Sequence, residues 1–384
     1  MFAKRYNKYM QRGFKYRIYP THAQESALTN TLEECRWLYS HFLEERKLLW
    51  EQEQKHTGRF DQINSIGLLR ETRPTLGLVH SQVLQNISGR VDLAFQAFFR
   101  RVKAGEKPGY PRFKGKGWYK SFTYPDSGFS IPTDGLVRLS KIGFVRIKYH
   151  RPIEGVVKTC TVSRTQTGKW FVSFSCVVEP SPLPPNPSEV GVDMGLTTFA
   201  TFSDGVKIAN PRFFQHEKKA LAKVQRAHKK HATELVHERI ANKRRNFAQQ
   251  WSKRVVAKYG TICAEDLSTD KMLVSASRKN RDSKDGGAKS VNIADAAWSQ
   301  FLACLAYKAA SAGRVFKQVN PAYATQTCSC CGARKKMPQN VRTYRCPACG
   351  LKMNRDVNAA KNILRTGLCS LGGSAVPALE AAGL

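Results

Sequence analysis

No run in this chain approaches the ~18 consecutive apolar residues of a membrane-spanning helix. Residues 1–20 are basic and aromatic and lack an apolar signal core, so secretion is not expected. Carboxylates are scarce: 29 Asp+Glu stand against 63 Lys+Arg, a formal net charge of +34. That surplus runs along the whole chain and is not confined to a tail, which is the footprint of a phosphate-rich partner more than of a membrane surface. The eleven cysteines are an odd number, and only four of them show ligand spacing. A disulfide scaffold is therefore not expected, and a reducing compartment is. No internal repeat is present, and 384 residues leave room for two or three domains with cores of their own.

Residues 14–20 alternate like a strand and stop at Pro20. Thr21 with Gln24 has the spacing of a capping box, and Leu28, Leu32, Cys35, Tyr39 and Phe42 follow with helical period. Leu84, Ile87, Val91, Phe95 and Phe98 repeat the period, so residues 21–103 are expected as a small helical unit, its aromatics packing the core. Residues 107–124 then interleave basic and aromatic side chains with Pro and Gly. That is the composition of a loop that stacks bases and meets phosphates, with Arg112, Lys114 and Lys116 as its cations; a solvated linker is the plain alternative. Strand patterns fill 135–179, which could close a small β-barrel with residues 14–20. Pro180, Pro182, Pro184, Pro185 and Pro187 form a stiff linker and a domain boundary. Beyond it the pattern predicts a hairpin over 190–205, long basic helices over 212–258, a short strand ending near Glu265 and a helix near 292–312. A strand near 314–319 follows, and residues 275–290, with almost nothing to bury, are expected as a mobile loop.

Two stretches carry chemistry. Cys328/Cys331 and Cys346/Cys349 form two CxxC pairs separated by 14 residues, each followed by a glycine, Gly332 and Gly350, where a tight turn favours positive φ. Four thiolates suit tetrahedral Zn²⁺ and leave no position open for water, so one structural zinc ion is expected; a redox dithiol would not need two pairs. Cys330 is a spectator. The second is a set of acids: Asp193 on the first hairpin strand, Glu265 ending an apolar strand, and Asp356 opening the last helix. A carboxylate on an apolar strand carries a desolvation cost that a divalent cation relieves. Three such groups can hold two Mg²⁺ ions for in-line phosphodiester hydrolysis. Each acid alone could shape a turn or cap a helix; their order is that of an RNase H-like nuclease fold.

With these residues in place the chain resembles the TnpB family, RNA-guided DNA endonucleases encoded by insertion sequences and related to compact type V CRISPR effectors. The resemblance is carried by residues 16–20, 111–113, 191–196 and 264–267, by the two CxxC pairs, and by 355–363 (Arg-Asp-Val-Asn-Ala-Ala-Lys-Asn-Ile). It implies a multidomain α+β fold. A β-barrel wedge domain (1–20 and 104–180) carries a helical recognition insertion (21–103), and a Pro-rich linker (181–187) leads to a RuvC-type α/β nuclease domain (188–324 and 353–370). A zinc-ribbon, target-nucleic-acid-binding insertion (325–352) interrupts that domain, and a flexible tail (371–384) follows. The resemblance further implies Asp193, Glu265 and Asp356 as the catalytic, Mg²⁺-binding acids, and a transposon-end-derived guide RNA and double-stranded target DNA as partners. It implies a protein monomeric in the RNA complex, in prokaryotic cytoplasm and nucleoid-associated when bound to DNA. Base pairing would select the target, while Gln85 and Asn86 on a recognition helix and Thr123 and Tyr124 on a barrel loop would read a short motif beside it. Gln85 could pair with adenine, although ordinary helix-surface polarity also accounts for it. The rival readings are a nuclease-inactive DNA-binding regulator, which the three acids disfavour, an RNA-independent transposase, and a plain zinc-ribbon RNA-binding protein, which leaves the acids unexplained. His228 and His231 lie in a Lys-rich helical stretch and lack the His-hydrophobic-His spacing of tyrosine transposases.

Overall fold

A computed structural model of the chain describes residues 9–132, 135–269, 272–274, 286–338 and 340–372, with residues 286–290 described by backbone alone. The protein is α+β and divides into two compact units, residues 1–179 and 180–384. No described helix is long and apolar enough to cross a membrane.

In the first unit, strand β1 (Met10–Tyr19) turns Phe14, Tyr16 and Ile18 inward and ends at Pro20. The capping box then forms: Gln24 N donates to Thr21 Oγ1 at 3.3 Å, and Thr21 N to Gln24 Oε1 at 3.0 Å. It starts helix α1 (His22–Glu53), which α2 (Arg59–Thr72) and α3 (Ser81–Lys103) follow. Leu28, Leu32, Cys35, Phe42, Leu84, Ile87 and Val91 are buried in one core with the adjoining sheet. That sheet is antiparallel, with β2 (Ser121–Tyr124), β3 (Phe129–Ser130), β4 (Leu136–Leu139), β5 (Gly143–Lys148), β6 (Val156–Arg164) and β7 (Trp170–Val178) in the order β2-β6-β7-β1-β5-β4-β3. The expected barrel is a nearly closed sheet. Its edge strands β2 and β3 meet through the Tyr124 and Phe129 rings, 6.5 Å apart, and among the described residues no ladder joins them. With two residues, β3 is too short to complete the seam.

The second unit is built on a mixed sheet. β8 (Glu189–Met194), β9 (Thr198–Phe202) and β10 (Lys207–Ala209) form an antiparallel meander. β11 (Thr261–Glu265) and β12 (Val315–Val319) join parallel to β8, giving the order β10-β9-β8-β11-β12. Basic helices α4 (Phe213–Arg226) and α5 (Lys230–Lys258) connect β10 to β11. The single helix expected near 292–312 is two, α6 (Gly286–Ala296) and α7 (Trp298–Ser311), broken where Ala297 turns left-handed at φ 51°. The loop expected over 275–290 lies mostly outside the described residues, at 275–285. Its remainder opens α6, where Ile293 and Ala296 have a core to bury against. Residues 373–384 of the expected tail also lie outside the described residues.

Strand alternation sorts the sheet's two faces. Val190, Val192, Ile262 and Ala264 point to the core formed with α5 and α7. Cys263 joins Val319, Ala359 and Ile363 on the opposite face, under helix α8 (Arg355–Ser370). Asp193 and Glu265 have the parity of Cys263 and so share the α8 face.

Candidate active site

Asp193 and Glu265 stand at the carboxyl ends of two neighbouring parallel strands, β8 and β11. Ala264 pairs with Val192, and the next residue on each strand is an acid. In open α/β sheets this is where ligands bind. Helix α8 brings the third acid. Asp356 lies on its first turn, and Asn354 caps the turn by accepting from Asp356 N at 3.0 Å and Val357 N at 3.2 Å. Two glycines let α8 lie directly on the sheet. A Cβ on Gly191 would collide with the Ala360 carbonyl oxygen and stand 2.8 Å from Leu364 N, and one on Gly367 would run into Cys263 Sγ. Asp356 thus reaches the strand acids because the residues beneath and within its helix have no side chain.

Asp193 is 8% exposed and Glu265 7%. Burial is the main reason that the Asp193 carboxyl is held well above the carboxylate range. The charge of Glu265, the hydrogen bond that Asp193 donates to it, and the charge of Asp356 act in the same direction against Arg355. Burial pushes Glu265 up to about 7, although it accepts from Asp193 and from the Met194 backbone N–H. The two therefore share a proton that a divalent cation could replace, and hard carboxylate oxygens suit Mg²⁺. Arg342, which the sequence reading did not single out, stands at the edge of this group. One guanidinium nitrogen lies 3.9 Å from Asp356 Oδ1, and the other donates to Thr197 Oγ1 at 3.1 Å, on the β8–β9 turn. Sequence spacing carried no signal for it, because it sits between the CxxC pairs and is brought back only by the ribbon fold.

The four cysteines converge. All four sulfurs lie within 4.8 Å of one another, with Cys328–Cys349 at 3.6 Å and Cys331–Cys346 at 3.5 Å. Four thiolates around zinc at ~2.3 Å would sit ~3.8 Å apart, so the donor set fits that ion. The Cys349 backbone N–H aimed at Cys346 is the chief reason that its thiol drops to about 6. Gly332 and Gly350 have φ of 79° and 72°, the left-handed turns expected of them, and Cys330 is exposed outside the cluster. Strands β13 (Thr343–Arg345) and β14 (Lys352–Asn354) complete the ribbon, and β14 runs straight into α8.

The residues expected to read a motif lie in the first unit. Gln85 is exposed on α3. Asn86 Oδ1 accepts from Arg90 Nε at 3.1 Å, and Thr123 Oγ1 accepts from the same guanidinium at 2.9 Å, so Arg90 ties the two together. Tyr124 departs from the expectation. Alternation on β2 turns its ring into the core, 1% exposed, and its hydroxyl donates to the Ser140 carbonyl at 2.9 Å, leaving nothing for a ligand. Arg112, Lys114 and Lys116 are exposed on the irregular segment before β2.

Three family models match the chain: "Helix-turn-helix domain" over residues 10–55, "Probable transposase" over 173–276, and "Cas12f1-like, TNB domain" over 298–363. Residues 10–55 contain β1 and the single helix α1. A putative RNA-guided DNA endonuclease of Streptomyces pristinaespiralis is 34% identical over 94% of this chain and 90% of its own length. The putative RNA-guided DNA endonuclease InsQ of Escherichia coli (strain K12) is 30% identical over 92% of both. Among solved structures, the mini-RNA-guided endonuclease CRISPR-Cas_phi3 aligns with 94% of this chain and 92% of its own, with a TM-score of 0.44 and 9% identity.

Proposed function

The chain belongs to the TnpB family of RNA-guided DNA endonucleases, and we propose that it cuts double-stranded DNA under the direction of a transposon-derived guide RNA. The observation that carries this reading is the buried pair Asp193–Glu265 on adjacent strand ends, with Asp356 brought toward it on α8. A folded protein with a net charge of +34 does not need two buried acids side by side for stability. The strand order and the acids on one sheet face support an RNase H-like, RuvC-type nuclease domain.

In this reading Asp193, Glu265 and Asp356 would hold two Mg²⁺ ions, and Cys328, Cys331, Cys346 and Cys349 would hold one structural Zn²⁺. The bound Mg²⁺ would supply an activated water and a counter-charge for the leaving oxygen. The protein's own contribution is placement. The strand ends fix two carboxylates and burial keeps bulk water from them. Arg342 offers donors at the mouth, where a scissile phosphate would pass. Gln85, Asn86 and Thr123 would read the flanking motif, Arg112, Lys114 and Lys116 would hold the backbone, and base pairing would do the rest. The protein would act as a monomer with its RNA, in prokaryotic cytoplasm and on the nucleoid.

Asp193→Ala tests the mechanism. Target cleavage with guide RNA and Mg²⁺ should vanish while guide binding persists. Surviving cleavage would refute the acid assignment, and RNA-free strand transfer would favour a transposase instead.

A further inference from the structure

Helix α8 is gripped on two sides. Asp356, Ala359, Ala360 and Ile363 recur at helical spacing toward the sheet, where Ala360 meets Gly191. Asn358 and Asn362, one turn apart, face the ribbon, and both are buried, at 0% and 4% exposure. Asn358 Oδ1 accepts from the backbone N–H of Ser329, the residue after the first zinc-ligand candidate, at 2.9 Å. Its Nδ2 donates to the Thr327 carbonyl at 2.7 Å. Asn362 Nδ2 donates to the same carbonyl at 2.7 Å and to Ala324 at 2.8 Å. From the ribbon's far side Arg342 O accepts from Arg355 N at 2.8 Å, and Pro338 O accepts from the Arg355 guanidinium at 2.9 Å. The first turn of α8, which carries Asp356, is thus bracketed by the start and the middle of the segment that the cysteine cluster folds.

Asparagine suits this bracket because one buried side chain supplies both a donor and an acceptor, here used on two successive features of one turn. A leucine of similar size would leave the Ser329 N–H and a lone pair of Thr327 unpaired in the interior.

We propose that Asn358 and Asn362 are positioning residues that couple the four-cysteine cluster to Asp356, so that zinc in the ribbon sets how tightly the carboxylates hold their divalent cation. This rests on the reading of Asp356 as a metal ligand. Coupling between two binding sites is reciprocal, so Mg²⁺ at the acids must also tighten zinc binding in the ribbon by the same factor. Residues that orient ligands from outside the coordination sphere typically change metal affinity by about 10–100-fold.

The test uses the full-length protein with its guide RNA. In the wild type, zinc affinity is measured by equilibrium competition with a chromogenic chelator, with and without Mg²⁺; Mg²⁺ should tighten it about tenfold. Asn358→Leu and the milder Asn358→Gln, which keeps an amide donor and acceptor, should raise the Mg²⁺ midpoint for cleavage about tenfold or more and about threefold, respectively. Asn358→Leu should abolish the Mg²⁺ effect on zinc affinity, and the milder variant should leave about a threefold effect. Unchanged Mg²⁺ midpoints, or wild-type zinc affinity indifferent to Mg²⁺, would overturn the coupling; the second measurement needs no variant and stands even if Asn358→Leu fails to fold. Asp356→Asn separates the two levels. If that variant cleaves normally, the metal-ligand reading of Asp356 is wrong, whereas its inactivity alongside unaltered Asn358 variants removes the coupling alone.

Discussion

Asp193→Asn should stabilise the protein and inactivate it together, and the sign of the gain follows from the site. Burial raises Glu265 from the ordinary 4.5 to about 7, and Asp193 is raised too, first by burial and then by Glu265. At 1.36 kcal/mol per pH unit, the Glu265 displacement amounts to about 3 kcal/mol. The sign follows from proton binding. The folded state holds these protons more tightly than the unfolded chain does. The Glu265 contribution is therefore fully present below about pH 4.5 and lost as pH rises through about 7, and Asp193, also raised, acts with the same sign. An amide at 193 keeps a donor for Glu265 and removes the second charge. The variant lacks the Asp193 titration and keeps that of Glu265, so it should lose less stability than the wild type between pH 5 and pH 8, with the Glu265 share of about 3 kcal/mol common to both. In a unit of this size each kcal/mol moves the melting temperature by about 2–4 °C. The assay is urea unfolding of RNA-free protein at both pH values, without Mg²⁺ and without a chelator that would strip a metal from the cysteine cluster. Adding Mg²⁺ at pH 8 should raise wild-type stability and leave the variant unmoved. Parallel pH profiles for the two proteins, or an equal Mg²⁺ response, would refute the shared-proton account of the pair.

Three further outcomes are expected. Gly191→Ala should lift α8 off the sheet, because its methyl would meet the Ala360 carbonyl. A loss of about 1–3 kcal/mol in urea unfolding is expected with a fall in cleavage, and a loss below about 0.5 kcal/mol would show that the close approach is not needed. Arg342→Ala should lower the single-turnover cleavage rate about 10²–10³-fold with the Mg²⁺ midpoint little changed; a change in target affinity alone would make Arg342 a binding residue. Binding of nucleic acid should weaken linearly on a log–log plot against salt, and a flat plot would contradict the phosphate-contact reading of the basic surplus.

What the sequence made legible was whatever short-range pattern controls. The Thr21–Gln24 cap, the alternation of β1 and β7, the hairpin after the Pro-rich linker and the cysteine pairs are all set by neighbours within a few residues. What it hid was set by distant contacts. Arg90 joins Asn86 to Thr123 across 33 residues, and Arg342 reaches Thr197 across 145. Tyr124 was misplaced because a motif match carries no information about which side of a strand a ring will take. The left-handed Ala297 that splits α6 from α7 lies inside an apolar, helix-compatible stretch and has no local signature.

The charge balance bears on how the acids would be filled. A chain with so large a cationic excess repels free Mg²⁺ on average, and Arg342 and Arg355 stand close to the carboxylates. Yet the same field concentrates nucleic-acid phosphates, and Mg²⁺ is commonly held by one or two carboxylates together with substrate phosphates. The buried pair can wait in its protonated form, at a pH where an exposed pair would already be ionised, until a phosphate arrives with counter-charge to complete the coordination. Cation and target should therefore bind cooperatively. The Mg²⁺ midpoint measured by protein stability, with no nucleic acid present, should lie well above the midpoint measured by cleavage. Equal midpoints would mean that the three acids suffice as a cation site without the substrate.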